Sequence, residues 1–478
     1  MQKAGISVTS SLICTNLCYT YVMKTLTFKK GIFPPHHKST DNKETVIILP
    51  KAGDVLVYPM LQHIGTPAEP LVEVGEKVLV GQKIGDTEAF LSAPIHATVS
   101  GVVEKIGQTL MPNGLMSDAI FIYSDGKMEE DPGINTPRDY QNMNRDEKLD
   151  VIHEAGIVGL GGAGFPTHVK LKPPPGKNID YVIVNIAECE PYLTTDHRVL
   201  VEETEKILIG LMIVLSLFPD AQGVIGIETN KMDGIKAVEA LCALPPYNEK
   251  ISVARLLPKY PQGAEKQLIY SVTGREVPSG GLPADIGCIV QNVDTIISIH
   301  RAFLRGRPLM RKIVTVAGGA VRNPGNYKIR LGMTYADMME AIGGFVGDAD
   351  GQDEPGVSGG AAKMIAGGPM MGSAMFDLNV PITKLSAGFL ALSEAEAQST
   401  VSKEMNCIRC GRCVEVCPIN LMPFLLNQYV VHGQRKKFRE NHGMDCIECG
   451  CCSFSCPSKR HLIQSIRTER RAVLAERA

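Results

Sequence analysis

The chain has 478 residues, with 49 Lys and Arg against 51 Asp and Glu for a net charge of −2, and 44% of it is hydrophobic. That is enough for roughly three or four domains with sizeable cores, and the charge balance does not favour nucleic acid as a partner. Of fourteen cysteines, eight stand at ligand spacing in two repeated phrases and the other six have no pairing pattern, which points to a reducing compartment, the cytoplasm, and not to a disulfide scaffold.

In chain order, residues 1–22 lack a strong basic region and a small-residue cleavage site, so they are expected to be a non-native extension ahead of a start at Met23. Residues 23–126 carry short β-branched runs broken by Gly and Pro, an all-β signature. Within them, LVEVGEKVLVGQKIG followed by APIHATVSGVV looks like a lipoyl- or biotinyl-type barrel-sandwich hybrid. The intervening DTEAFLS has no lysine to carry a prosthetic group, so a structural role is expected. A polar stretch with Pro and Gly at 127–146 reads as a linker.

Over residues 147–305 the pattern alternates between helix and strand, predicting a Rossmann-like α/β domain with a largely parallel sheet. A helix at 148–156 leads into a glycine loop, YVIVNI is a strand, and one long helix is expected from Asp196 to Phe218. Its apolar run, ILIGLMIVLSLF, is too short to cross a bilayer and reads as buried. GVIGIET, a helix at 231–244 and ISVARLL continue the series.

GLGGAGFPTHVKL places Gly159, Gly161 and Gly164 in G-x-G-x-x-G spacing. A dinucleotide fingerprint needs a strand before the loop and a helix after it, whereas here a helix precedes. Clustered glycines still let backbone N–H groups approach a phosphate, and Lys170 stands near enough in sequence to add a positive charge. A glycine turn used only for packing is the competing reading. At the end of the following strand, NIAECEPY offers Asn185, Glu188 and Glu190 where ligands bind in open α/β sheets; a solvated acidic loop is the alternative.

Residues 311–375 give strand, turn, strand and short helix, an order that suits a β-grasp domain. Residues 395–465 contain CIRCGRCVEVCP and CIECGCCSFSCP. Three thiolates at three-residue steps wrap one iron–sulfur cube, and the fourth, fixed by proline, reaches the other cube. One [4Fe–4S] cluster is therefore assigned to Cys407, Cys410, Cys413 and Cys456, and a second to Cys417, Cys446, Cys449 and Cys452. Zinc knuckles fit two identical four-cysteine phrases poorly. Cys451 is out of phase and reads as a small space-filler. The tail 466–478 is basic and amphipathic, suited either to docking on a membrane partner or to a solvated terminal helix.

GLGGAGFPTHVKL and NIAECEPYLTTDHR, followed by YPQGAEKQLIYSVTGREVPSGGLPADIG and VQNVDT, resemble the C subunit of the Rnf-type ion-translocating electron-transport complex over nearly the whole chain from Met23. The same blocks are similar, more distantly, to the NADH- and FMN-binding flavoprotein subunit of respiratory complex I. The resemblance implies a multidomain α/β and α+β chain: a barrel-sandwich β domain, a Rossmann-like FMN/NADH domain, a β-grasp soluble-ligand-binding domain and a two-cluster ferredoxin module. It implies that Gly161, Gly162, Gly164 and Lys170 hold FMN phosphate and ring, that Asn185 meets the flavin, and that Gln291 and Asn292 lie near the phosphate. Phe165, Glu188, Glu190 and Glu265 would shape the nicotinamide-nucleotide pocket. Relative to the complex I pattern, Ala187 and Cys189 replace an aspartate and a serine, and Gln291-Asn292 replaces paired asparagines.

The function implied is electron transfer between NAD(H), FMN and two [4Fe–4S] clusters, without a catalytic side chain. The chain would be a peripheral subunit on the cytoplasmic face of a bacterial inner membrane, with the other subunits as partners, ferredoxin reached indirectly, no nucleic acid and no transmembrane span. The alternatives are a soluble flavoprotein cobalamin reductase of a microcompartment and a non-enzymatic polyferredoxin. The A subunit of the sodium-pumping quinone reductase shares parts of the fold, but by resemblance it lacks the cluster cysteines.

Overall fold

The computed structural model describes residues 25–347, 360–398 and 403–476; the expectation for residues 1–22 lies outside them. The first eight strands are β1 (Thr45–Ile48), β2 (Val55–Pro59), β3 (Glu69–Pro70), β4 (Lys77–Val78), β5 (Lys83–Asp86), β6 (Ile95–His96), β7 (Gly101–Leu110) and β8 (Met116–Ser124). β2, β8, β7 and β4 form one antiparallel sheet, and β3, β5 and β6 a second. Leu56, Tyr58, Ile84, Ile95, Val103, Ile120 and Ile122 are buried between them, as alternation on half-buried strands requires.

The α/β part runs α1 (Arg145–Glu154), α2 (Thr167–Lys170), β9 (Tyr181–Ile186), α3 (Thr195–Glu202), α4 (Thr204–Leu215), β10 (Gln222–Glu228), α5 (Met232–Cys242), β11 (Ile251–Leu256), α6 (Glu265–Thr273), β12 (Cys288–Asn292) and α7 (Val293–Leu304). Its sheet is wholly parallel in the order β11-β10-β9-β12. The chain therefore leaves β9 toward one side and returns to its other side as β12. That reversal opens a crevice at the carboxyl ends of the two strands, where ligands sit in such sheets. α1 starts at a capping box in which the Asn144 side chain accepts from Glu147 N and the Glu147 side chain from Asn144 N. The single helix expected from Asp196 to Phe218 is two helices. Glu203 breaks it with φ −130°, its carboxylate drawn to Arg301 at 3.1 Å and to Lys206.

A six-stranded sheet follows, with β13 (Arg311–Ala317), β14 (Gly325–Arg330), α8 (Tyr335–Ala341), β15 (Lys363–Ala366), β16 (Ser373–Met375), β17 (Gly388–Leu392) and α9 (Glu394–Gln398). The order is β1-β14-β13-β17-β15-β16. Residues 311–375 supply four of these strands. β1 joins from far upstream, parallel to β14, and β17 inserts between β13 and β15. Val314, Tyr335, Met338 and Phe389 share one continuous core with Tyr58 and Ile120 of the N-terminal sheets.

The last part holds α10 (Arg412–Glu415), α11 (Pro423–Val431), α12 (Arg435–Glu440), α13 (Cys451–Phe454) and α14 (Leu462–Ala475). Its two halves repeat in backbone as well as sequence: Arg409 and Glu448 both have φ +57°, and Gly411 and Gly450, at +79° and +77°, cap α10 and α13. The basic tail is mostly helix α14, which buries Leu462, Ile463, Ile466 and Val473. It is tied to α11 through Asn427 Nδ2 and Ser465 Oγ at 2.7 Å. Arg467 and Arg470 both pair with Glu448. Among the described residues no helix is long and apolar enough to cross a membrane.

Candidate functional site

Helix α1 delivers the chain to the glycine loop, so the strand–loop–helix order of a dinucleotide fingerprint is absent. Val158 bridges to Pro166, Gly159 N donates to Phe165 O at 2.9 Å and Gly164 N to Gly159 O at 3.2 Å, closing the loop on itself. Its tip, Gly161-Gly162-Ala163, is exposed. Among the described residues the N–H groups of these three donate to no protein acceptor, which leaves them free for a phosphate. The loop is braced from three sides. Leu160 N donates to Thr295 Oγ1 at 3.0 Å in the first turn of α7. Lys312 Nζ reaches both Leu160 O at 3.2 Å and Asp294 Oδ2 at 2.9 Å. Ile64 N, from the N-terminal sheets, donates to Gly164 O at 3.1 Å. A Cβ on Gly161 would stand 2.9 Å from Asn292 Cβ, so glycine is what lets the loop lie against the end of β12.

Two strand ends face this loop. Asn185 on β9 is the register partner of Asn292 on β12. Asn185 Oδ1 accepts from Ala187 N at 3.0 Å, and its Nδ2 donates to Gly263 O at 2.9 Å. Asn292 Oδ1 caps α7 by accepting from Asp294 N at 2.9 Å, and its Nδ2 donates to Asp196 Oδ2 at 2.9 Å. Burial, and next the charge of Glu188, push the Asp196 carboxyl up to about 7. Gln291 is buried one residue earlier, its Nε2 without a partner. On α2 and α6, Lys170 Nζ and Glu265 Oε1 form a half-buried pair at 2.6 Å.

The structure thus brings Gly159, Gly161, Gly162, Gly164, Asn185 and Asn292 together and pairs Lys170 with Glu265. Phe165 contributes a loop-closing carbonyl. Glu188 and Glu190, expected to shape one pocket, face different ways. The Glu188 carboxylate accepts from Thr195 Oγ1 at 3.1 Å and Asp196 N at 2.9 Å, serving the start of α3. Glu190 accepts from Met370 N at 3.2 Å and Met371 N at 2.9 Å, and burial pushes it up to about 7. Sequence reasoning missed Asp196, which lies in the quoted TTDHR, and Lys38, which no local signal marks. Lys38 Nζ donates to the carbonyls of Glu188 at 2.8 Å, Glu190 at 3.0 Å and Leu193 at 2.5 Å, fixing the acidic loop.

The cysteines lie close together: Cys413 and Cys456 pack with Cys446 and Cys452, and Cys417 with Cys446. Burial raises Cys413, and the thiols acting on it are Cys456 and Cys407. Burial likewise raises Cys417, Cys446 and Cys452, and the thiols acting on these come from the set Cys417, Cys446, Cys449 and Cys452. Those four cysteines line one small cavity with Ile419, Leu421, Ile463 and Ile466. Cys407 and Cys410 are exposed. Cys451 is buried and lines the same cavity. Cys449 and Cys451 pack with Tyr260, Ile32, Cys189 and Met370. Tyr260 OH donates to Cys449 O at 2.7 Å, and Cys189 Sγ accepts from Gly263 N at 3.4 Å, next to the Gly263 carbonyl held by Asn185.

Comparison with known proteins agrees with this organisation. The profile of the RnfC barrel sandwich hybrid domain matches residues 26–127, the Nuo51 FMN-binding domain 152–301, the SLBB domain 313–374 and a 4Fe-4S dicluster domain 406–460. The C subunit of the Na(+)-translocating ferredoxin:NAD(+) oxidoreductase complex of Acetobacterium woodii is 42% identical over 94% of this chain and 98% of its own. The proton-translocating counterpart of Clostridium ljungdahlii is 43% identical over 86% of each. Among solved structures, a chain of the NAD+-reducing [NiFe]-hydrogenase in the H2-reduced state is 18% identical, with a TM-score of 0.47 over 70% of this chain and 64% of that one. The chain belongs to the RnfC family, the C subunits of the Rnf-type ion-translocating ferredoxin:NAD+ oxidoreductase complexes.

Proposed function

We propose that this chain carries electrons between NAD(H), FMN and two [4Fe–4S] clusters as the peripheral subunit of an ion-translocating ferredoxin:NAD+ oxidoreductase, on the cytoplasmic face of the membrane. The observation that carries the reading is continuity: the end of a parallel sheet, against which the glycine loop lies, reaches a double cysteine module through Gly263, Cys189, Tyr260 and Cys449. Bound FMN supplies the exchange between two-electron hydride chemistry and one-electron cluster chemistry.

The N–H groups of Gly161, Gly162 and Ala163 and the Lys170 ammonium would hold the phosphate, while Asn185 and Asn292 present amides at the crevice. Free donors at the loop tip support that fit. Glu265, through its pair with Lys170, fixes the lysine's position. Lys38 and the caps on α3 and α7 keep the loops around the crevice from moving when nucleotide enters. Cys417, Cys446, Cys449 and Cys452 would bind the cluster nearer the flavin, and Cys407, Cys410, Cys413 and Cys456 the outer one.

The test is anaerobic purification with iron, sulfide and flavin quantified, followed by NADH titration of the visible spectrum. The reading requires stoichiometric bleaching of flavin and clusters; clusters and flavin present but unresponsive to NADH would overturn it.

A further inference from the structure

A cavity of about 290 Å³ lies away from the crevice, between the edge strand β1, the ends of β13 and β14, and the last turns of α7. Five cationic side chains line it: Arg301, Arg307, Arg311, Lys328 and Arg330. Ile47, Leu49 and Met310 supply apolar wall. β13 alternation sends Lys312 toward Leu160 of the glycine loop and Arg311 to the opposite side, so this is a separate site.

Its charges do not balance. Glu203 is shared by Arg301 at 3.1 Å, Lys328 at 3.9 Å and Lys206. Glu130 holds Arg307 at 2.6 Å, and Asp294 is taken by Lys312 at 2.9 Å. Among the described residues Arg311 and Arg330 are in no ion pair, and Arg311 Nε and Nη1 are buried without any acceptor. A purely structural salt-bridge cluster would set carboxylates opposite these guanidiniums, since a buried unpaired charge is costly. Burial, followed by the neighbouring positive charges, also holds Arg311 down to about 10 and lowers Arg330 and Lys328.

We propose that this cavity binds a small organic phosphate, with the phosphate on Arg311 and Arg330 beside Lys328 and Arg301, and the carbon portion against Ile47, Leu49 and Met310. The volume sits at the small end of ligand sites, about 300 Å³ upward, and the guanidinium fork matches phosphate oxygens in pairs. A phosphate there supplies the acceptors that Arg311 lacks.

The experiment uses the full chain with flavin and clusters in place, titrated calorimetrically at constant ionic strength with inorganic phosphate, glucose 6-phosphate and, as a polycarboxylate arm, citrate. One saturable site for the phosphates is expected, weakened about tenfold or more by Arg311→Met and, independently, by Lys328→Met at a less buried position, with flavin content and NADH bleaching unchanged. Absence of saturable phosphate binding overturns the proposal. So does binding that neither variant weakens, and so does binding of citrate alone, which would assign the cavity to carboxylates. Lys328→Met keeps the test decisive if Arg311→Met fails to fold.

Discussion

Gly161→Ala tests the cradle directly. The added methyl falls 2.9 Å from Asn292 Cβ and 3.1 Å from its Cγ and Nδ2, contacts too close to persist. If the end of β12 gives way and carries Asn292 with it, α7 loses its cap, worth about 1 kcal/mol, and Asp196 loses a buried hydrogen bond worth about as much again. If the loop lifts instead, the Leu160–Thr295 and Lys312–Leu160 bonds are lost at a similar cost of about 2 kcal/mol. Alanine also stiffens the unfolded chain, which offsets roughly 0.4–1 kcal/mol of the stability loss but none of the affinity loss. The two readouts must therefore diverge: a net destabilisation of about 1–1.5 kcal/mol by denaturant unfolding, and FMN binding weakened about thirtyfold, as loss of one charge-assisted N–H bond from the displaced loop to the phosphate, about 2 kcal/mol, dictates. Fluorescence-quenching titration of flavin-depleted protein measures the second, with iron and sulfide content as the control for global integrity. FMN affinity within about twofold of the parent would refute the assignment of this loop to the phosphate, whatever the change in stability.

Cys449→Ser is expected to lose about half of the iron, one cluster of two, whereas Cys451→Ser keeps both; iron analysis and EPR separate them, and a cluster lost in the Cys451 variant would remove that residue from its filler role. Tyr260→Phe deletes the hydrogen bond to the Cys449 carbonyl, costing about 1–1.5 kcal/mol. It should move the midpoint potential of one cluster only; equal shifts of both, or of neither, would contradict the placement of Tyr260 beside the inner cluster. Burial, and next the charges of Lys384 and Lys83, keep His96 neutral down to about 3. An unfolded histidine takes up its proton near 6.5, so the unfolded state binds more protons below that pH and stability falls as the solution is acidified, by about 2 kcal/mol at pH 5. His63 and His168, both lowered chiefly by burial to about 4, add in the same sense. Asp196 and Glu190, pushed up to about 7, act in the opposite sense over this range, so the check is the difference: urea unfolding across pH 7 to 5, in which His96→Gln must remove about 2 kcal/mol of acid destabilisation relative to the parent.

The features legible in the sequence are those written locally. Eight cysteines at ligand spacing, the strand YVIVNI and the glycine tip each lie within short stretches; YVIVNI is β9, and the two cysteine phrases fall within the matched 4Fe-4S dicluster domain. The departure from the dinucleotide fingerprint is legible too, because a helix precedes the loop. What escapes is non-local. The partner of β1 is β14, Thr45 against Asn326, and nothing in TVII specifies an edge position on a sheet built mostly from residues after 310. Lys38 gives no hint that its ammonium will fasten carbonyls some 150 residues away. The break at Glu203 is set by Arg301, a tertiary charge that helical periodicity cannot see. Glu188 and Glu190 look alike because alternation sends i and i+2 to one side of a strand; β9 ends at Ile186, and beyond it that rule no longer holds.

Cys407 and Cys410 stand in the open while Cys417, Cys449 and Cys452 are enclosed. Under the proposed ligation, the uncovered corner of the outer cluster would be where a neighbouring protein draws current, and equally where dioxygen arrives first. Aerobic damage is then expected to proceed from outside inward, leaving a chain that still accepts reducing equivalents from nicotinamide but has no outlet for them. Covering that corner on assembly would serve as insulation as well as connection.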